Sequence, residues 1–250
     1  GSWLSHTDSA GVPWEGRNFS ENPFADDDGL ESPEISKALK RFDAGEIDFS
    51  KLLDSFRGSR VLIPLVPKVQ GTKMGNHGQL VDTSSDMHIV AIEGPDKLPA
   101  LPIFTSTENV QAWSRDARPV PTQFEKALLA AAAEGQTRVI VNPGQQHWFA
   151  IRRPAIEALA KQEPWQSAHE DPAVKGLVSD AIKNLEVEGF KLLAGDPSQK
   201  LVAEELVVLL KLTPGLGSDE TKSIVADFLS ALDYQRFNPL VDSLKISLVA

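Results

Sequence analysis

Apolar and polar positions along this chain follow first one period and then another. Behind Pro33, the residues Ile35, Ala38, Leu39 and Phe42 recur at helical spacing and stop at Gly45, which predicts a helix capped by Ser32. Phe49, Leu52, Leu53 and Phe56 repeat that spacing between a capping Asp48 and a terminating Gly58. Strand-like runs follow at 61–69, 87–92 and 98–104. A polar glycine-bearing loop over 70–85 separates the first two, and the turn Gly94-Pro95-Asp96 separates the second and third. Thr105 with Glu108, and Thr122 with Glu125, have the spacing of capping boxes, so each pair is expected to open a helix. The second continues through the alanine-rich 127–133, where no side-chain entropy is lost, and ends at Gly135. A hairpin over 137–142 and 147–151 turns at Asn142-Pro143-Gly144, and a helix over 154–161 closes the first half.

Residues 162–170, with Pro164 and Trp165, read as a linker. Beyond it the pattern predicts a helix over 172–185 capped by Asp171, then strands 187–193 and 206–212 around Asp196-Pro197-Ser198. A helix over 219–232 and a strand over 244–249 complete the chain. Val207-Val208-Leu209-Leu210 is apolar on both parities, which predicts a central strand covered on both faces. The expected fold class is α+β: two small α+β domains, 34–163 and 170–250, each a mixed sheet with helices packed on it. An extended acidic arm, 1–33, precedes them. That arm reads either as a disordered leader or as a segment that packs on the body through Trp3, Trp14, Phe19 and Phe24.

Several stretches resemble one family in wording. They are Leu62-Ile63-Pro64-Leu65-Val66, then Leu101-Pro102-Ile103-Phe104-Thr105-Ser106, then Trp113 and Asp116-Ala117-Arg118-Pro119-Val120-Pro121. In the leader, Asp8-Ser9-Ala10-Gly11-Val12-Pro13-Trp14-Glu15-Gly16-Arg17 and Asn22-Pro23-Phe24-Ala25-Asp26-Asp27-Asp28-Gly29 add to the likeness. Over roughly the first 160 residues the chain resembles the N-terminal domain of the SseB family, the enhanced serine sensitivity proteins, in their actinobacterial form. The last 80 or so residues resemble a second SseB-type domain more loosely. The resemblance implies a fold and a bacterial, cytoplasmic setting; it implies no particular activity.

Charge and composition narrow the picture further. The chain has 250 residues and a net charge of −10. Seven acids face one base in 1–33, fifteen face sixteen in 34–167, and thirteen face eight in 168–250. No cluster of Lys and Arg suited to neutralising a duplex backbone stands in any segment, so no duplex nucleic-acid partner is expected. No apolar run reaches the ~18–20 residues of a membrane helix and no secretory pattern opens the chain, so neither a membrane partner nor export is expected. The chain has no cysteine, which excludes thiolate metal sites, disulfides and cysteine nucleophiles, and with them a persulfide-carrying sulfurtransferase.

Familiar chemical constellations are missing as well. No Gly-x-Ser-x-Gly elbow, His-Glu-x-x-His pair or dinucleotide glycine fingerprint is present. In the 70–85 loop, Gly75 is followed by Asn76-His77 and not by the Lys-Ser/Thr that a phosphate loop needs. Asp26-Asp27-Asp28 lacks the alternating oxygens of a calcium loop, and His147 has no second ligand at metal spacing and reads as a half-buried sheet residue. No cofactor, metal or catalytic residue is therefore assigned, which points away from an enzyme without deciding the matter. The candidate binding surface is Trp113, Arg115, Asp116 and Arg118, together with Trp14 and Phe24 of the arm. Trp and Arg are enriched at binding hot spots. The alternative for the first group is structural, with Trp113 buried and Asp116 holding Arg115 or Arg118 in a local ion pair. A non-catalytic binding or regulatory role toward another protein is expected; a small-molecule or enzymatic site between the two domains is the alternative.

Overall fold

A computed structural model describes Phe24 and residues 26–67 and 87–249. Trp14, the rest of the leader before Phe24 and the 70–85 loop lie outside the described residues. Helix α1 (Pro33–Asp43) starts with its proline in the first turn and buries Ile35, Ala38 and Leu39. The Ser32 hydroxyl donates to Glu34 and does not cap. Helix α2 (Phe49–Phe56) is capped as expected. The Asp48 carboxylate accepts from the Lys51 amide at 2.8 Å, and that bond holds its pKa down at about 2. Strand β1 (Arg60–Pro67) follows.

The run 87–92, expected as one strand, is two. Strand β2 (Met87–Ile89) pairs with β1, whereas β3 (Ile92–Glu93) pairs with β4 (Pro99–Ile103) in a different sheet. Apolar patterning shows that a segment is extended; it does not name the partner strand, and here the chain changes partners at Val90-Ala91. Neither expected capping box forms. Thr105 is buried and bonds Asn142, while Ser106 caps α3 (Thr107–Trp113) by accepting from the Asn109 amide at 3.1 Å. Thr122 lies in β5 (Arg118–Gln123), and the Glu125 carboxylate, buried in the first turn of α4 (Phe124–Ala133), accepts from the Gly58 amide at 2.8 Å. In both places the tertiary partner displaces the local one.

Strand β6 (Arg138–Val141) runs parallel to β4 and antiparallel to β7 (Phe149–Arg152). His147 sits in the turn before β7, half-buried, with Nδ1 against the Asp43 carboxylate; it is not on the strand. Helix α5 (Arg153–Ala160) returns along the sheet. Two sheets result, β2-β1-β5 and β3-β4-β6-β7, joined where Leu62 and Phe104 exchange main-chain bonds of 2.8 and 2.9 Å. Helices α1, α2, α4 and α5 share one apolar core with these strands, around Phe49, Phe56, Phe124 and Phe149. Trp165 seals its edge, its ring 5.7 Å from that of Phe49.

A separate apolar cluster forms after Ser167. Helix α6 (Pro172–Ala181) is capped by Asp171 and ends four residues sooner than expected. Polar Lys183-Asn184 offers no apolar anchor, and the chain turns there to enter β8 (Val187–Ala194). Strands β8 and β9 (Leu206–Leu212) are antiparallel, α7 (Ser218–Ala231) and the short α8 (Tyr234–Phe237) follow, and β10 (Leu244–Val249) runs parallel to β9. Strand β9 is central, but Leu206, Val208, Leu210 and Leu212 are buried while Val207 and Leu209 are only half-covered and Lys211 is exposed. The expectation of cover on both faces is thus corrected: α6 and α7 lie against one face only. The fold is α+β. Among the described residues no helix is long and apolar enough to cross a membrane.

Candidate functional site

Trp113, Arg115, Asp116 and Arg118 are brought together at the end of α3 and the start of β5. The Trp113 ring packs on Phe104 with centroids 5.5 Å apart, over a small core of Leu62, Val110 and Ala117. It is half-buried, one side held and one side open. The chain then turns through Ser114–Ala117, closed by the Ala117 amide donating to the Ser114 carbonyl at 3.3 Å. Ala117 is buried, and this fixes Arg115 and Asp116 on one side of it and Arg118 on the other, all three exposed. Asp116 does not pair with either arginine, and neither guanidinium forms an ion pair with a described residue. The expected alternative, a local salt bridge, is therefore absent among the described residues.

Strand β5 lies at the edge of its sheet, and its two prolines decide what that edge can do. Leu62 directs both main-chain groups toward Phe104, away from β5, and its partner on β5 is Pro121. In an antiparallel ladder such a non-bonded pair turns its polar groups outward on both strands. Pro121, and Pro119 two residues before it, thus occupy outward-facing positions and offer no N–H there. The edge refuses an added strand. Recognition at this surface falls to side chains, chiefly the two guanidiniums, whose planar donor forks suit carboxylates.

Phe24 is half-buried, its carbonyl accepting from the Asp27 amide at 3.2 Å, and the acidic run meets the body elsewhere. The Asp27 carboxylate accepts from Arg60 Nε at 2.8 Å, and the Gly29 carbonyl from the Thr107 amide at 2.8 Å. Gly29 has φ +74, and a Cβ there would stand 2.3 Å from the Thr107 hydroxyl oxygen, so only glycine fits. Residues 27–32 are therefore docked at the start of α3.

A second site went unread in the sequence. Arg138 and Arg152 are cross-strand partners on β6 and β7, both buried, on the sheet face opposite the main core. Adjacent like charges repel, and carboxylates from other segments, both earlier and later in the chain, compensate them. Asp242 accepts from Arg138 Nη1 and Nη2 at 2.8 Å each, Asp96 from Arg138 Nε at 2.7 Å, and Asp196 from Arg152 Nη2 at 2.8 Å. Burial pulls the Arg138 guanidinium down, but the bonds from Asp96 and Asp242 outweigh it and hold its pKa above the ordinary value. Glu205 completes the group, accepting from the Asp242 amide at 2.6 Å. Burial, aided by the Asp242 charge, raises its pKa to about 7. Above the two arginines, Leu201 packs with Ala100, Ile140 and Ala150, and the Ala150 amide donates to the Gln199 carbonyl at 2.8 Å. One signal was present: Arg138 begins and Arg152 ends strands that are otherwise wholly apolar, at buried parity.

Beside this seam a cleft of about 430 Å³ opens between α5, the 162–170 segment and the chain after α8. Glu157, Lys161, Trp165, Asp171 and Leu240 line it. Among the described residues no group of His, Cys, Asp and Glu is placed to hold a metal ion.

A search of curated proteins finds no match to the chain. Residues 35–158 match the SseB protein N-terminal domain, a span that runs from α1 into α5 and takes in both of the first two sheets. Through that domain the chain belongs to the SseB family.

Proposed function

We propose that this protein is a non-catalytic binding protein of the cytoplasm that recognises an acidic segment of another protein through Trp113, Arg115 and Arg118. The reading is carried by one observation: two exposed guanidiniums, paired with no described acid, stand on a turn made rigid by Trp113 and Ala117. Rigid presentation lowers the ordering entropy of binding, and a half-held Trp beside Arg is the residue pairing that hot spots favour. We further propose that 34–163 and 170–250 act as two units, the second an SseB C-terminal-like one, in keeping with their separate apolar clusters.

The test is a pull-down from source lysate with the full chain and with Arg115→Ala/Arg118→Ala. A protein partner kept by the first and lost by the second supports the reading; equal retention by both sinks it. The cleft beside Trp165 favours a second reading, a small-molecule site. A ligand at 100 times its Kd adds about 2.7 kcal/mol to stability. A metabolite that raises the melting midpoint of the full chain, but not of Trp165→Ala, would establish that site.

A further inference from the structure

The C-terminal sheet has one face covered by α6 and α7, and the other carries an ordered pattern. In register across β8, β9 and β10 stand Leu193–Val207–Lys245, then Lys191–Leu209–Ser247, then Gly189–Lys211–Val249. These positions share a face because side chains alternate along each strand. The apolar members form a diagonal from Leu193 through Val207 and Leu209 to Val249. Leu193 and Val249 are 44% and 41% exposed, large values for aliphatic residues on a sheet. Lys191 and Lys211 flank the diagonal on one side and Lys245 on the other. Glu188 pairs with Lys211 at 2.6 Å, whereas Lys191 and Lys245 pair with no described acid. This face is basic within a segment, 168–250, that has thirteen acids against eight bases.

We infer that this face docks an acidic amphipathic helix of another protein, its apolar stripe on the diagonal and its carboxylates on the lysines to either side. From Leu193 to Val249 the diagonal crosses two strand spacings and four residues, about 16 Å, which is about three helical turns. Gly189 leaves open space at the lower corner, with nothing within 4 Å of where a Cβ would stand. A second copy of the chain is a poor occupant, because lysines would face lysines across the interface. No residue of the Trp113–Arg118 turn belongs to this face.

The test uses the full chain and a fluorescein-labelled 18-residue designed helix, with leucines at i, i+3, i+4 and i+7 spacing flanked by glutamates, read by anisotropy. A twin with lysines for glutamates serves as control. Expected are binding of the acidic helix only, weakening by about tenfold or more in Lys191→Glu/Lys245→Glu, and no change in Lys183→Glu/Lys222→Glu on the helical side. Lysine acylation read by mass spectrometry keeps the test sound should the first variant unfold, since the bound probe is expected to protect Lys191 and Lys245 in the unaltered chain. Absence of binding, equal weakening by both variants, or no protection overturns the inference. So does a dimer in sedimentation that Leu193→Glu dissociates, or binding that appears only once residues 1–23 are removed.

Discussion

Two pairs of arginines, on one chain, are put to opposite uses. Arg138 and Arg152 sit on neighbouring strands, buried, each held by aspartates that arrive from other elements. Arg115 and Arg118 stand on a turn, exposed, with Asp116 between them and no ion pair to any described residue. The first pair makes the joint between the early sheet and the later chain, because a buried guanidinium without its carboxylates is untenable. The second pair contributes little to folding and stays available. Residue type does not separate these roles; the number of carboxylates the fold brings within reach does.

The largest expected effect tests the buried pair. Arg152→Met leaves Asp196 buried without its partner and is expected to lower unfolding free energy by about 3–5 kcal/mol in urea titration. A loss below about 1 kcal/mol would show the pair to be no more than surface-like. Next comes proton linkage at Glu205, which faces Asp242, Arg152 and Arg138 and lies beside Ser243. Its folded pKa of about 7 exceeds the ordinary 4.5, so the folded protein keeps a proton the unfolded chain gives up. The contribution is full below pH 4.5 and is lost as pH rises through about 7. From about pH 5 to about pH 8 the unaltered chain is expected to lose on the order of 2–3 kcal/mol relative to Glu205→Gln. Parallel pH profiles for the two proteins would contradict this.

A smaller effect sharpens the contrast between buried and surface carboxylates. Asp48→Ala removes the α2 cap and is expected to cost about 1 kcal/mol by denaturant titration. That loss should shrink as pH falls toward 2, where the Asp48 carboxylate takes up its proton. Smallest of all, Arg115→Ala/Arg118→Ala is expected to change stability by no more than about 0.5 kcal/mol while partner capture is lost. A large fall in melting midpoint would move these arginines into the structural class.

Local periodicity carried much of the architecture. The helices at Pro33 and Phe49, the Asp48 and Asp171 caps, the 138–152 hairpin and the strands of the last sheet stand where spacing placed them. These depend on neighbours within a few residues, which a sequence displays directly. Thr105 and Glu125 show where that ends. Each has the spacing of a cap, yet Asn142 and Gly58, distant in sequence, bond them instead. That Trp113, Arg115, Asp116 and Arg118 lie close together was also legible, since they are near neighbours in the chain. The Arg138–Asp242 seam was not, because its bonded partners lie up to 104 residues apart. What the sequence alone determined is therefore the α+β class, the family likeness and the contiguous surface. Which strands share a sheet, which charges are buried, and which sheet face stays open depend on contacts closed only when distant segments meet. Such contacts leave at most a faint trace in local pattern, as the two arginines at the ends of apolar strands do.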